Sequence, residues 1–290
     1  MNRGRLVLGT VQIGLDYGVA NQRGRVPVDE ARAILRLARE NGIDCLDTAA
    51  GYGESEATLG SLGMEGWKVV TKLRGAPEID DVAAWVREET AESLRRLRLQ
   101  SVHAVLVHRA DQMLGSKGEA IYAALKTLQE EGRIGSVGVS IYGPEDLDSL
   151  MPRFGFEIVQ SPFSLLDRRI ASSGWLDRCR ERGIAVHGRS AFLQGALLMT
   201  HHERARRFSR WSPLWDRYES WLAESGLAPL QACLGFALAE ERLDGVVVGV
   251  DSLAQFAQLV ETAKTTGPTE YPDLSTTDLE LINPARWKNE

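Results

Sequence analysis

The amino-acid sequence predicts an α/β fold, a single-domain (β/α)8 TIM barrel covering residues 1–290. Three observations point there. Eight short apolar runs alternate with longer amphipathic ones. The short runs are apolar almost throughout, the pattern of parallel strands buried on both faces. The first run continues Leu8-Gly9-Thr10-Val11-Gln12-Ile13-Gly14, so the Gly-x-Gly-x-x-Gly that would mark an open doubly wound sheet is missing. Eight βα units fit one closed barrel of about 250 residues.

In chain order, residues 6–10 read as the first strand and 28–41 as its helix, stopped by Asn41-Gly42. The second strand is 43–47, with a short helix at 54–61. The third is 67–73, and its helix, 80–97, has Asp near its start. The fourth, 102–108, leads to a helix at 117–131 that ends at Gly132. The fifth, 134–140, precedes a helix at 144–151 opened by Pro144. The sixth, 157–161, precedes one unbroken helix at 170–182. After the seventh strand, 184–190, comes an irregular segment, 191–226, with a helix expected around 215–224. A helix at 229–240, the eighth strand at 245–249 and a helix at 252–264 complete the barrel, leaving a tail at 265–290. A loop as long as 191–226 is usually functional in a compact domain.

The bulk composition narrows the partners. The net charge is −6, with 43% hydrophobic and 26% charged residues, which is ordinary for a globular chain. The basic clusters at Arg95, Arg96, Arg98 and at Arg204, Arg206, Arg207 are short and read as solvated helix faces, so no nucleic-acid partner is expected. Cys45, Cys179 and Cys233 show no C-x-x-C spacing, which suggests buried thiols, no metal site and a cytoplasmic protein. Neither a signal peptide nor an apolar stretch of about 20 residues is present, so no membrane association is expected.

In a parallel barrel the active site forms where the strands end. Strand two ends at Asp47, followed by Tyr52; strand three ends near Lys72; strand four ends at His108. Each alone reads as a cap, a surface charge or a structural histidine. Together they suggest proton chemistry. A free tyrosine, with pKa near 10, is a poor acid at neutral pH. A neighbouring ammonium stabilises its phenolate and is expected to lower that pKa, and a carboxylate would orient the lysine. A histidine beside them can hydrogen-bond a carbonyl oxygen. The group offers no nucleophilic triad and no metal-ligand spacing.

These residues resemble the aldo-keto reductase family. Asp47-Thr48-Ala49-Ala50-Gly51-Tyr52-Gly53-Glu54-Ser55-Glu56, with Leu59-Gly60, is similar to that family's signature. Val69-Val70-Thr71-Lys72, Val105-Leu106-Val107-His108 and Gly132-Arg133-Ile134-Gly135-Ser136-Val137-Gly138-Val139-Ser140 are similar to its later motifs. The resemblance implies a barrel that passes hydride between NAD(P)H and an aldehyde or ketone. It further implies that Gly9 and Thr10 lie under the nicotinamide, that Ser140 and Gln160 bond its carboxamide, and that Ser190, Phe192, Gln194 and Gly195 cover the pyrophosphate.

The cofactor half also departs from the family. Ile141 stands where the family has Asn. Arg189 replaces an aromatic ring; its guanidinium could stack on a ring or bind an anion. After strand eight, Gly249, Asp251, Gln255 and Gln258 fall in a segment that resembles the family's 2′-phosphate site at a helix N-terminus. Gly249 and Gln255 stand where Lys and Arg are frequent, and Asp251 would repel a phosphate. The resemblance implies NADPH and the local residues permit NADH; the balance is set slightly towards NADPH.

Substrate choice should come from the loops. The loop at 12–27 carries Asp16, Tyr17, Asn21 and Gln22; the long loop carries Trp211, Trp215 and Trp221; the tail carries Trp287-Lys288. Such residues suit a small, sugar-like carbonyl compound, and the tryptophans equally suit plain packing. The chain is expected to be a monomer or a small homo-oligomer. Two other readings remain: a cofactor-sensing barrel that binds a protein partner, and a lyase or aldolase with a Schiff base at Lys72.

Overall fold

The structure, a computed structural model, describes residues 5–265, 267–268 and 270–287. Its strands are β1 (Leu6–Gly9), β2 (Cys45–Asp47), β3 (Lys68–Leu73), β4 (Val102–Val107), β5 (Ile134–Ser140), β6 (Ile158–Pro162), β7 (Ala185–Arg189) and β8 (Gly245–Val248). They pair in chain order, all parallel, and β8 closes on β1. Val, Ile and Leu dominate these strands because both faces are covered. Inside the barrel Val7, Cys45, Val70, Ala104, Leu106 and Ile158 fill the lower part of the lumen. Outside it Leu8, Leu46, Val69, Val105, Val137, Val139 and Val186 pack against the helices.

The helices are α1 (Val11–Gly14), α2 (Val28–Glu40), α3 (Ser55–Leu62), α4 (Val82–Leu97), α5 (Asp111–Leu114), α6 (Gly118–Glu130) and α7 (Pro144–Leu150). They continue with α8 (Arg169–Ser172), α9 (Trp175–Glu181), α10 (His201–Arg207), α11 (Ser212–Ser225), α12 (Pro229–Ala239), α13 (Leu253–Thr262) and α14 (Leu279–Ile282). α2 shows the usual logic: Ala31, Ile34, Leu35 and Ala38 face the barrel, three and four residues apart, while Asp29 and Glu30 sit in its first turn, where carboxylates favour the helix dipole.

Three expectations are corrected. The helix at 170–182 is two helices, because Gly174 adopts φ 79° between α8 and α9. The segment 191–226 is largely helical, with a 3-10 stretch Leu193–Leu198, α10 and a start to α11 at Ser212. A second core including Leu166, Leu197, Phe208, Trp215, Tyr218 and Leu281 forms beneath it. The loop expected at 12–27 begins inside the turn α1, which starts at Val11. Lys288 lies outside the described residues. No single helix among the described residues is long and apolar enough to cross a membrane.

Candidate active site

Asp47, the last residue of β2, is buried in the barrel mouth. Thr10 holds this strand end: its amide and hydroxyl both donate to the Asp47 carbonyl, at 2.9 and 3.0 Å. The Ser55 hydroxyl in turn donates to Thr10 Oγ1, and a second Ser55 contact reaches Thr48. Gly14 lets α1 dock here, since a Cβ at this position would lie 1.8 Å from the Tyr52 carbonyl oxygen. Backbone packing therefore fixes where the chain leaves β2.

Lys72 comes from β3, two residues beyond Val70, which pairs with Asp47. Its ammonium donates to both Asp47 oxygens at 2.7 Å and to the Thr48 carbonyl at 2.9 Å. The Tyr52 hydroxyl is 3.4 Å away. The Lys72 side chain is 0% exposed and that of Asp47 5%, so this ion pair is fully buried. Gln160 on β6 adds a third contact, donating from Nε2 to Asp47 Oδ1 at 2.6 Å. A carboxylate only accepts, so the amide must turn its nitrogen to Asp47. Sequence reasoning placed Gln160 on a cofactor carboxamide and missed this bond across the lumen.

His108 follows β4 directly and meets the Tyr52 ring edge-on, centroids 5.8 Å apart at 80°. Burial pushes the His108 pKa down, Lys72 and Arg189 push the same way, and it falls to about 4. The ring is neutral at pH 7, with one N–H to donate. For Tyr52, burial raises the phenol pKa and outweighs the lowering pull of Lys72, so the net shift is upward. The expected net lowering is therefore corrected: the phenol stays loaded with its proton. For Lys72, burial lowers the pKa, but the Asp47 carboxylate and Tyr52 outweigh it and the ammonium is held above its ordinary range.

The far side of the mouth is formed by β5 to β8. Ser140 is buried at the end of β5, its backbone in register with Gln160. Arg189 ends β7; it donates from Nη2 to the Ile141 carbonyl at 2.9 Å and from Nη1 to Ser190 Oγ at 3.2 Å. Its guanidinium lies over the Tyr142 ring, 5.0 Å from the centroid. Beyond it the backbone turns left-handed at Ser190, Leu193 and Gln194 (φ 62°, 48° and 52°) and at Gly195 (φ 94°). Arg98 takes this conformation simply as the C-cap of α4, but a group of such residues in one loop is typical of active sites and ligand clamps, and alternating hand turns N–H groups towards an anion. Gln194 also clasps the first loop: Nε2 donates to the Tyr17 hydroxyl at 2.8 Å, and the carbonyl accepts from Val19. The Phe192 side chain packs between the two cores.

The segment that resembles the 2′-phosphate site follows β8, beside β1. Gly9 ends β1, where a Cβ would be 3.2 Å from Val247 Cγ1. A Cβ at Gly249 would sit 2.6 Å from the Gln12 amide, so no side chain fits there unless Gln12 moves. The start of α13 is already occupied. The Leu253 amide donates to Glu30 Oε1 at 2.9 Å, Ser252 Oγ accepts from the Gln255 amide, and Gln255 Oε1 accepts from the Asp251 amide at 2.8 Å. Gln258 is exposed on α13. Glu30 was not anticipated: it lies 223 residues from its partner, and only barrel closure joins them.

The tryptophans are packing residues. Trp215 is buried and donates to the Phe208 carbonyl; Trp211 donates to Asp278 and Trp287 to the Leu281 carbonyl. Trp221 lies against Tyr218 and Tyr271. The aromatics left at the mouth are Tyr17 and Tyr142, 38% and 37% exposed. Asn21 is spent within its own loop, on Tyr17, Arg23 and Gly24.

Residues 5–271 match the family model described as the aldo/keto reductase family. The chain belongs to the aldo/keto reductase family. Among curated relatives, the NADH-specific methylglyoxal reductase of Escherichia coli is 28% identical over 68% of this chain and 66% of its own. An aldo-keto reductase of Bacillus subtilis is 26% identical over 58% and 53%, and the L-glyceraldehyde 3-phosphate reductase of Escherichia coli O157:H7 is 23% identical over 85% and 83%. The match spans 66% and 53% of the first two relatives' own lengths. A crystal structure from Pseudomonas aeruginosa assigned to the aldo-keto reductases superposes with TM-score 0.66 and 25% identity over 89% of both chains. The holo form of a Bacillus halodurans aldo-keto reductase gives TM-score 0.72 at 22% identity, over 91% and 88%, which speaks for the shared barrel.

Proposed function

We propose that this aldo/keto reductase family member reduces an aldehyde or ketone to the alcohol, with Tyr52 as proton donor and NADH as the preferred hydride source. The observation that carries the reading is the buried Lys72 ammonium, held by Asp47 at 2.7 Å and 3.4 Å from the Tyr52 hydroxyl. When bound, the dinucleotide supplies the hydride that reaches the carbonyl carbon. Tyr52 gives its proton to the carbonyl oxygen as negative charge develops there. Lys72 stabilises the phenolate left behind, and Asp47, anchored by Gln160, keeps Lys72 charged and in place. Neutral His108 donates an N–H to the same oxygen and fixes its position.

A Schiff base at Lys72 is disfavoured by the same contacts. An amine that must attack a carbonyl has to be unprotonated, and Asp47 holds this one as ammonium.

The cofactor reading reverses the leaning of the sequence. The left-handed run at 190–195 suits a pyrophosphate. The start of α13 does not suit a 2′-phosphate: Glu30 takes the Leu253 N–H, Asp251 stands beside it, and Gln255 is engaged in the cap. A phosphate dianion there would face carboxylates rather than open amides. The relative named as NADH-specific supports the same choice.

Titrating the purified protein with NADH and NADPH by fluorescence, then following NADH oxidation with small aldehydes, tests the proposal. Binding of NADH at least tenfold tighter than NADPH, with carbonyl-dependent oxidation, is expected. Binding of neither dinucleotide would overturn it. Tight binding with no turnover of any carbonyl would favour a cofactor-sensing role instead.

A further inference from the structure

We propose that Arg189 makes the barrel mouth a site for carbonyl compounds that carry an anionic group, a carboxylate or a phosphate. The inference rests on the reductase reading and adds the substrate class.

Arg189 leaves the end of β7, and its side chain crosses the end of β6 to reach the Ile141 carbonyl past the end of β5. That brings the guanidinium to the neighbourhood of the proton-transfer groups. Its charge acts on Tyr52, His108 and Tyr17 alike. It is half-buried, and among the described residues no carboxylate pairs with it. Among the other half-buried or buried arginines, Arg96 pairs with Glu56, Arg169 with Asp167, Arg204 with Glu219 and Arg242 with Glu240; Arg168 also bonds carbonyls and covers a ring, that of Phe236, but it lies away from the proton-transfer groups.

The charge count at the mouth then does not balance. Lys72 is neutralised by Asp47, and His108 is uncharged at pH 7. Arg109, at the rim, is neutralised by Asp111. Among the charges that act on Tyr52, those of Lys72, Asp47 and Arg189, one positive charge remains, that of Arg189; the nearby carboxylates of Glu145 and Asp146 face Arg169 and the Tyr142 and Gly143 amides. A cation drawn partly out of water without a counter-ion is costly, and such a cost is retained where a ligand supplies the missing charge. Two of the five guanidinium N–H groups are used, on neutral oxygens; the others have no protein acceptor among the described residues. That leaves donors for a planar carboxylate or a phosphate.

A cofactor ring is the poorer occupant of this position. One face of the guanidinium is already covered by Tyr142, and an oxidised nicotinamide is itself a cation. A substrate with its carbonyl oxygen at Tyr52 and His108 and its anionic end at Arg189 satisfies both charges.

Two matched pairs test this: succinic semialdehyde against butanal, and glyceraldehyde 3-phosphate against glyceraldehyde. The wild type should favour at least one anionic member at least tenfold in kcat/KM, less so at high salt. In Arg189→Met, kcat/KM for the anionic member should fall at least tenfold more than for its neutral partner, while the NADH dissociation constant moves by less than threefold. The two pairs distinguish a carboxylate from a phosphate site. Equal turnover of charged and neutral partners by the wild type would overturn the proposal and leave the reductase reading intact. An Arg189→Met variant that loses NADH binding and both substrates together would assign the guanidinium to the cofactor. Failure to reduce any carbonyl would fall on the reductase reading itself.

Discussion

Replacing Asp47 by Asn should destabilise the fold in a way that only the Lys72 ion pair explains. Lys72 is fully buried, with Asp47 as its only anionic partner among the described residues. The asparagine is nearly isosteric, but one end of it presents N–H groups where a carboxylate oxygen now accepts from Lys72 or Gln160. An ammonium left buried and unpaired costs about 3–5 kcal/mol. The loss has a ceiling, because the lysine can shed its proton: at pH 7, for a side chain whose ordinary pKa is about 10.4, this costs about 4.6 kcal/mol. Against a total stability of about 5–15 kcal/mol, the effect is large. Urea denaturation at pH 7 would measure it. If the variant escapes by deprotonation, its unfolded state binds more protons than the native state. Its stability should then rise by up to about 1.4 kcal/mol per pH unit from 7 to 9, unlike the wild type. Adding Lys72→Met removes the orphaned charge and should recover most of the loss. A single variant within about 1 kcal/mol of wild type, or a double variant no better than the single, would refute the reasoning.

Other predictions concern charge placement. Glu30→Gln removes the carboxylate at the start of α13 and should tighten NADPH relative to NADH by about tenfold in fluorescence titrations; an unchanged ratio would put the 2′-phosphate elsewhere. His108, with a native pKa of about 4 against about 6.5 when unfolded, contributes stability that is fully present above pH 6.5 and lost as pH falls towards 4. The loss is on the order of 3 kcal/mol, so denaturation midpoints of His108→Asn should fall less steeply over that window than those of wild type. Parallel profiles would mean that the histidine is not held neutral.

The strands were legible because burial on both faces writes an unbroken apolar run, and the grouping of Asp47, Tyr52, Lys72 and His108 was legible because each sits at or just beyond a strand end. The segment 191–226 was not. Its apolar residues are divided among several short helices and meet a core completed by Leu281 and Ile282 of α14, so no single periodicity marks them. The break at Gly174 was written in the sequence, but the apolar pattern runs through it. Gln160 to Asp47 and Glu30 to Leu253 span 113 and 223 residues; local spacing carries no record of either. The sign of the Tyr52 shift depended on burial, which four residue names do not give.

The most direct measurement is Tyr52→Phe with NADH and a small aldehyde. The hydroxyl is the only group lost, and the ring remains against His108. NADH affinity should stay within about threefold of wild type, while the rate of NADH oxidation under saturating aldehyde falls by about 10²–10⁴-fold, the contribution of a positioned general acid. A variant that binds NADH and still reduces the aldehyde at close to the wild-type rate would contradict the assignment of proton transfer to Tyr52.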